Sequence, residues 1–288
     1  MLDLVRLSPR PVFPPGGRDL YRQIAVLSGM EEGQEVLVVG SGTGVTLEYF
    51  VREMGVQGAG VEPDRSLASM AEERLRRANL RSRAQIQNAP VDDLPFRDGV
   101  FDLVVVELAA LAWTEPEALV REVVRVAAPG AHLAMIQLVW KAPVEPSRRQ
   151  ALARHLGVSP VLLVEVKRLL REVGVVDLHV EGWTDEVTAF RPALKKPFPD
   201  FAELFTLPEK LGILRRAWGR WGWRGVGSAI GRELTVHRIL TRERILGLDL
   251  IMGRTPADAS GPEAGEDEAR TLREVEGLPL FVGDDEGG

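Results

Sequence analysis

Through its first two thirds the chain alternates short apolar runs with segments of helical periodicity, a pattern that points to a parallel sheet flanked by helices. EVLVV (35–39) reads as a buried strand, followed by a Gly-rich turn and a helix over Thr46–Met54 that Gly55 ends. QGAGV (57–61) predicts a second strand, and the next helix runs from about Ser66 to Asn79 with Asp64 as its N-cap. AQIQN (84–88) and FDLVVV (101–106) are strands three and four. After a helix over Pro116–Val126, AAPGAHLAMIQLV supplies a turn at Pro129–Gly130 and a fifth strand. A helix through Val161–Glu172, stopped by Gly174, precedes a sixth strand, VVDLHVEGW (175–183), and ILGLDLIMG (245–253) alternates as a seventh. The expectation is one α/β domain over residues 1–254.

Strands six and seven are too far apart for a plain connection, so a helical insertion is expected over about 190–243. From Arg191 to Arg244 there are twelve Lys/Arg and five Asp/Glu, and three of the six Trp fall in RRAWGRWGWRG (215–225). This stretch has three readings: a lid whose aromatics line an apolar substrate pocket, a surface lying against an anionic membrane, or a solvated basic helix with Trp packed inward. Trp beside Arg also suits single-stranded nucleic acid, but the body is near neutral and has no recognisable nucleic-acid module, so no specific nucleic-acid partner is expected. From Asp258 onward ten acidic residues face two basic ones, a balance of −8. With a total of −6, the rest of the chain is +2. Few large apolar residues lie in this tail (255–288), which is expected to be disordered, although Leu278, Leu280, Phe281 and Val282 form a short apolar patch.

The chain has no Cys, which excludes disulfides, thiolate metal sites and a Cys nucleophile. No segment approaches the ~18 apolar residues of a membrane span, and the N-terminus lacks the apolar core of a signal peptide, so a cytoplasmic location is expected. His132 and His179 fall in strands and His155 and His237 in helix-prone segments; no pair has metal-ligand spacing and no metal is expected.

The strongest local signal is VLVVGSGTGVTLEYF, where a buried strand runs into Gly40, Gly42 and Gly44 and then a helix. Glycines there permit a sharp turn and close backbone approach to a ligand. A dinucleotide fingerprint would need a small residue at position 45, where this chain has Val45, and its glycines are spaced GxGxG.

Together with GVEPD (60–64), APVDDLPFRDGVFDLVVV (89–106) and EALVREVVRVAAPGAHLAM (117–135), in that order, the turn resembles the class I S-adenosylmethionine-dependent methyltransferases, of the small-molecule, methyltransferase domain 11-like type. The resemblance covers about residues 20–185. It implies a three-layer Rossmann-like sheet in the order 3-2-1-4-5-7-6 with strand 7 antiparallel, S-adenosyl-L-methionine as cofactor, and transfer of its methyl group to a small-molecule acceptor; the Trp and Phe content of the insertion is what points to an apolar or lipid-like one. Carried onto this sequence, Gly40, Ser41, Gly42 and Gly44 line the methionine moiety and Glu62 takes the ribose hydroxyls. Asp92 or Asp93, with the backbone near Val91, borders the adenine, and Glu107 faces the methyl-transfer cavity as a base. Tyr21 and Arg22 close over the cofactor by the same analogy.

The residues also admit plainer roles. Glu62 could also be a solvated strand-end acid, Asp92 and Asp93 turn starters, and Glu107 a carboxylate bonded to nearby backbone. Two positions depart from the family pattern: Val38 stands where an acidic residue usually holds the methionine ammonium, and Pro90 where a side chain often bonds the adenine amino group. They motivate a second reading, a non-catalytic nucleoside-binding protein of the same fold acting through a partner. A nicotinamide-dependent oxidoreductase is a third, disfavoured by Val45 and the later motifs. Oligomeric state has no signature in the sequence.

Overall fold

The computed structural model describes residues 4, 7–8, 12–108, 110, 114–156, 158–183, 205–241 and 245–257. Its strands are β1 (Glu35–Val39), β2 (Gln57–Val61), β3 (Ala84–Gln87), β4 (Phe101–Val106), β5 (Ala127–Trp140), β6 (Val176–Trp183) and β7 (Leu246–Arg254). They form one sheet in the order β3-β2-β1-β4-β5-β7-β6, as the resemblance implies. The pairs from β3 through β5 are parallel. Strand β7 is antiparallel to β5: Lys141 donates to the Ile245 carbonyl at one end, and Thr255 donates to that of Ala131 at the other. The helices are α1 (Gly17–Leu27), α2 (Val45–Met54), α3 (Arg65–Arg77), α4 (Pro116–Val126), α5 (Pro146–Leu156), α6 (Leu163–Glu172) and α7 (Leu207–Thr241).

The described residues fall into two compact units, one drawn from Ala25–Met135, Lys167–His179 and Ile251–Gly288, the other from Met1–Ile24, Ile136–Val166 and Val180–Leu250. In the first, β1 lies between β2 and β4 and all five of its residues are buried, which is why Val36–Val39 read as an unbroken apolar run. Helix α3 begins as expected: Asp64 Oδ1 accepts the backbone N–H groups of Ser66 at 2.8 Å and Leu67 at 3.1 Å. It ends at Arg77, and Asn79, at φ 56°, breaks the helical geometry. The expected turn at Pro129–Gly130 is corrected. Strand β5 passes through both residues, and the register against β4 jumps from Phe101↔Ala127 to Leu103↔His132, so the extra residues are accommodated as an irregularity within the strand. Thr255, drawn with the tail from sequence, is anchored, its hydroxyl donating to the Ala128 carbonyl at 2.6 Å.

In the second unit, Leu4, Phe205, Ile213, Ala217, Val226 and Ala229 make a buried cluster against which Trp221 is half-buried. Helix α7 occupies much of the expected insertion and is interrupted at Gly222, whose φ of 64° and ψ of −179° are not helical. A smaller cluster joins Leu152 and Leu246 to Trp140, Leu156 and Ile245. Asp249 on β7 is 0% exposed, and both its oxygens accept from Lys141 Nζ at 2.7 Å. Burial pushes this carboxyl above its ordinary range, while the Lys141 ammonium opposes that shift. Helix α5 is an addition to the sequence reading: PSRRQALARHL has few apolar positions to mark a buried stripe. Phe198, Phe201 and the apolar patch at 278–282 lie outside the described residues.

Candidate cofactor and active site

Every strand-end residue singled out from sequence lies in the first unit, beyond the carboxyl ends of β1, β2 and β4, where ligands of open α/β sheets bind. The turn after β1 is made by Gly40, Gly42 and Gly44, all in the left-handed region at φ 74°, 56° and 75°. The backbone N–H groups of Gly40 and Ser41 both donate to the Val61 carbonyl, fixing the turn to the end of β2. The three glycines have different surroundings. A Cβ on Gly40 would lie 3.0 Å from the Ala110 backbone nitrogen, and one on Gly44 would lie 3.0 Å from the Ala71 Cβ. A Cβ on Gly42 would meet nothing within 4 Å, so Gly42 is the glycine that fronts open space. Ser41 is buried with its hydroxyl lacking a hydrogen-bond partner, and this oxygen packs over Gly60 of β2.

Glu62 follows β2 and is 1% exposed. Its Oε2 accepts the Gly42 N–H at 2.8 Å and its Oε1 accepts the Asp64 N–H at 3.0 Å, so one carboxylate joins the glycine turn to the start of α3. The solvated reading of Glu62 is therefore corrected: the side chain is buried and hydrogen-bonded. Asn88 reinforces the corner, its side-chain amide donating to the carbonyls of Glu62 at 2.8 Å and Pro63 at 3.0 Å. Arg74 of α3 donates to the Thr43 carbonyl at 2.6 Å and pairs with Glu48 at 3.2 Å. Sequence reading missed both Asn88 and Arg74, since neither stands in a motif and each acts on a residue more than twenty positions away.

Glu107 follows β4 and is 3% exposed. Its N–H donates to the Val39 carbonyl, and its Oε1 accepts a 2.7 Å hydrogen bond from the Thr46 hydroxyl in the first turn of α2. The carboxylate is thus held against the segment that the glycine turn leads into. Val38 is fully buried in register with Gly60 and Val105.

The loop before β4 carries the third group of candidates. Val91 is buried, whereas Asp92, Asp93 and Pro90 are exposed; Asp92 accepts a 2.7 Å hydrogen bond from the Thr114 hydroxyl. Arg125 of α4 braces this loop by donating to the carbonyls of Leu94 and Phe96 and to the carboxylates of Asp98 and Glu122. Glu122 also accepts the Leu94 N–H at 2.8 Å. The Arg125 hydrogen bond holds the Glu122 carboxyl below its ordinary range, against a smaller opposing effect of burial. A depressed carboxyl contributes stability that is complete above its unfolded pKa and is lost as pH falls through the folded value. Replacing Arg125 by Met is expected to cost about 1–2 kcal/mol near neutral pH, by removing the donor from the part-buried Leu94 and Phe96 carbonyls and from the Glu122 carboxylate. The difference from wild type in urea unfolding should narrow as the medium is acidified below pH ~4. A difference independent of pH would overturn the pairing.

Tyr21 belongs to the second unit, where it is buried and its ring lies 5.8 Å from that of Phe13. Among the described residues no group of three or more His, Asp or Glu is arranged to hold a metal ion. Burial, and to a lesser degree Arg254, lowers the pKa of His132 in β5.

Comparison with known proteins adds to this geometry. The family described as "Methyltransferase domain" matches residues 37–135, which contain all the strand-end candidates. Norajmaline N-methyltransferase of Rauvolfia serpentina is 23% identical over 225 residues, 75% of this chain and 72% of that protein. Erythromycin 3''-O-methyltransferase of Saccharopolyspora erythraea is 31% identical over 183 residues, 59% of this chain and 60% of that protein, so this match leaves two fifths of the relative unmatched. The fold is similar to that of Haemonchus contortus phosphoethanolamine N-methyltransferase 2, solved with S-adenosyl-L-methionine (TM-score 0.65, 18% identity, 84% of this chain and 53% of that one).

Proposed function

Since the chain belongs to the class I S-adenosylmethionine-dependent methyltransferases, we propose that it binds S-adenosyl-L-methionine at the Gly42–Glu62 corner and methylates a small-molecule acceptor of apolar or lipid-like character. The observation that carries the cofactor assignment is the contrast among the three glycines: two are filled against protein, and the third faces open space beside a buried carboxylate. When bound, the cofactor supplies an electrophilic methyl group on a sulfonium. The protein's share is positioning, exclusion of water and, for a protonated acceptor, removal of a proton. In this reading Gly40, Ser41, Gly42 and Gly44 follow the methionine moiety, Glu62 accepts from the ribose, and the Val91–Asp92 backbone borders the adenine. The composition of the insertion, rich in Trp and Phe, is what favours an apolar acceptor. The norajmaline and erythromycin enzymes methylate nitrogen and oxygen respectively by their names, so the accepting atom is a matter for an acceptor screen.

Glu107 is proposed as the base. A second role for it is favoured by its contact with Thr46: a carboxylate held at the start of α2 stands one strand across from Val38 and is suited to the methionine ammonium that position 38 lacks an acid to hold. Glu107→Gln separates the two. As a base, its loss lowers kcat by about 10²–10⁴ and leaves cofactor affinity unchanged; as an ammonium partner, it weakens S-adenosylmethionine binding while changing kcat less. Thr46→Val should follow Glu107→Gln in direction, with a smaller effect.

The function is tested by calorimetric titration with S-adenosylmethionine, S-adenosylhomocysteine and NAD, followed by transfer of labelled methyl to apolar acceptors. Binding of the two sulfur nucleosides but not NAD is the expected result. Nucleoside binding without transfer to any acceptor would favour the non-catalytic reading, for which the comparisons offer no support.

A further inference from the structure

Helix α7 exposes a continuous apolar stripe alongside the face it buries. In its first half Ile213 and Ala217 are buried, while Leu207, Leu211 and Trp218 are exposed at positions that share one side of the helix. In its second half Val226 and Ala229 are buried, and Trp223, Ile230 and Leu234 are exposed in the same relation. The two halves join at Gly222, across which the rings of Trp218 (52% exposed) and Trp223 (75% exposed) lie 5.4 Å apart. Of the three readings of the Trp-rich stretch, inward packing therefore accounts for Trp221 but not for Trp218 or Trp223.

The exposed charges of α7 are of one sign. Arg215, Arg216, Arg220, Arg224, Arg232 and Arg238 are exposed on α7. Its two acids are elsewhere engaged: Glu233 is buried, and Glu209 accepts from the N–H and hydroxyl of Thr206 at the helix start. An exposed apolar stripe bearing two Trp, with arginines and no exposed acid on the same helix, matches the chemistry of an interfacial helix: apolar side chains enter the headgroup and acyl boundary while guanidinium groups meet anionic headgroups. Trp suits that depth because its ring is apolar and its N–H finds a partner at the wet boundary. Nucleic acid is the less suited occupant, since Leu207, Leu211, Ile230 and Leu234 offer no ring on which a base can stack. No helix among the described residues is long and apolar enough to cross a membrane. We propose that α7 docks the protein peripherally on an anionic lipid bilayer through Leu207, Leu211, Trp218, Trp223, Ile230 and Leu234. This inference does not depend on the cofactor assignment.

The test is co-sedimentation of the full chain with vesicles of phosphatidylcholine alone or with about one third phosphatidylglycerol. Binding to the anionic vesicles is expected to be at least ~10-fold tighter than to the neutral ones and to weaken steeply between low salt and ~0.5 M salt. The double variant Trp218→Ser, Trp223→Ser should lose most of that binding, and Arg220→Gln with Arg224→Gln should lose its anionic preference. Because all four side chains are exposed, both variants should keep the wild-type Tm and wild-type nucleoside binding, which separates lost docking from lost fold. Equal retention on both vesicle types, wild-type binding by the Trp variant, or tighter binding to oligo-dT than to anionic vesicles would each overturn the proposal. So would acrylamide quenching in the absence of vesicles that the Trp variant leaves unchanged, since it would mean that Trp218 and Trp223 are already covered in solution.

Discussion

Glu62→Gln is expected to weaken S-adenosylmethionine binding by roughly 100-fold while leaving the protein folded. The substitution preserves volume but removes the negative charge and turns one acceptor oxygen into an NH2 donor. In wild type both oxygens face backbone donors, the N–H of Gly42 and that of Asp64. Whichever way the substituted amide turns, one of those donors faces another donor, so the corner must open locally. The ribose, proposed to donate to this same carboxylate, loses two charge-assisted hydrogen bonds, each about 1.5–3 kcal/mol, only part of which a neutral amide replaces. Calorimetry gives the affinity and thermal unfolding gives the stability, which should fall by about 1–3 kcal/mol. If affinity is lost in proportion to the folded fraction alone, Glu62 only braces the corner. If affinity survives intact, the ribose lies elsewhere.

That experiment also marks how much of the site could be read in advance. A strand ending in GVEPD places an acid at the carboxyl edge of β2, and local propensity gives that much correctly. The sheet order came through the resemblance, because periodicity identifies strands without saying which are neighbours. What neither could supply were the ties between distant positions: Asn88 on the Glu62 carbonyl, Arg74 on the Thr43 carbonyl, and Arg125 bracing a loop nearly thirty residues away. Such bonds depend on tertiary proximity, and an Arg on a helix face looks alike in sequence whether it is solvated or clamps a turn. The turn placed at the start of β5 failed for a related reason. Pro129–Gly130 has turn chemistry, and Gly130 does take a φ of 75°, but hydrogen bonds on the β7 side, from the Gly130 N–H to the Pro256 carbonyl and from the Thr255 N–H to that of Ala131, keep the segment in the sheet while the β4 register skips past it. The basic, Trp-bearing stretch stayed ambiguous because one helical periodicity fits both an inward and an outward aromatic, and α7 has both.

Gly42→Ala and Gly44→Ala look equivalent in the GxGxG motif, yet opposite outcomes are expected. At Gly42 the new methyl enters open space, so the folded protein bears only the strain of a non-Gly residue at φ 56°, about 1–2 kcal/mol. The ligand proposed to occupy that space loses its close approach to the backbone, and S-adenosylmethionine affinity should fall by ~30- to 100-fold, the cost of displacing a tightly packed group by a methyl's width. At Gly44 the strain at φ 75° is joined by a contact 3.0 Å from the Ala71 Cβ, so α2 and α3 must separate or the turn must shift. Stability should therefore drop by about 2–4 kcal/mol, with affinity following the loss of folded protein. The double variant Gly44→Ala, Ala71→Gly removes the methyl that is struck. It should recover the packing part of the loss and leave the backbone strain, whereas Ala71→Gly added to Gly42→Ala should restore nothing. If Gly42→Ala binds the cofactor as wild type does, the open face of Gly42 is not the cofactor's seat, and the glycine turn serves only to connect β1 to α2.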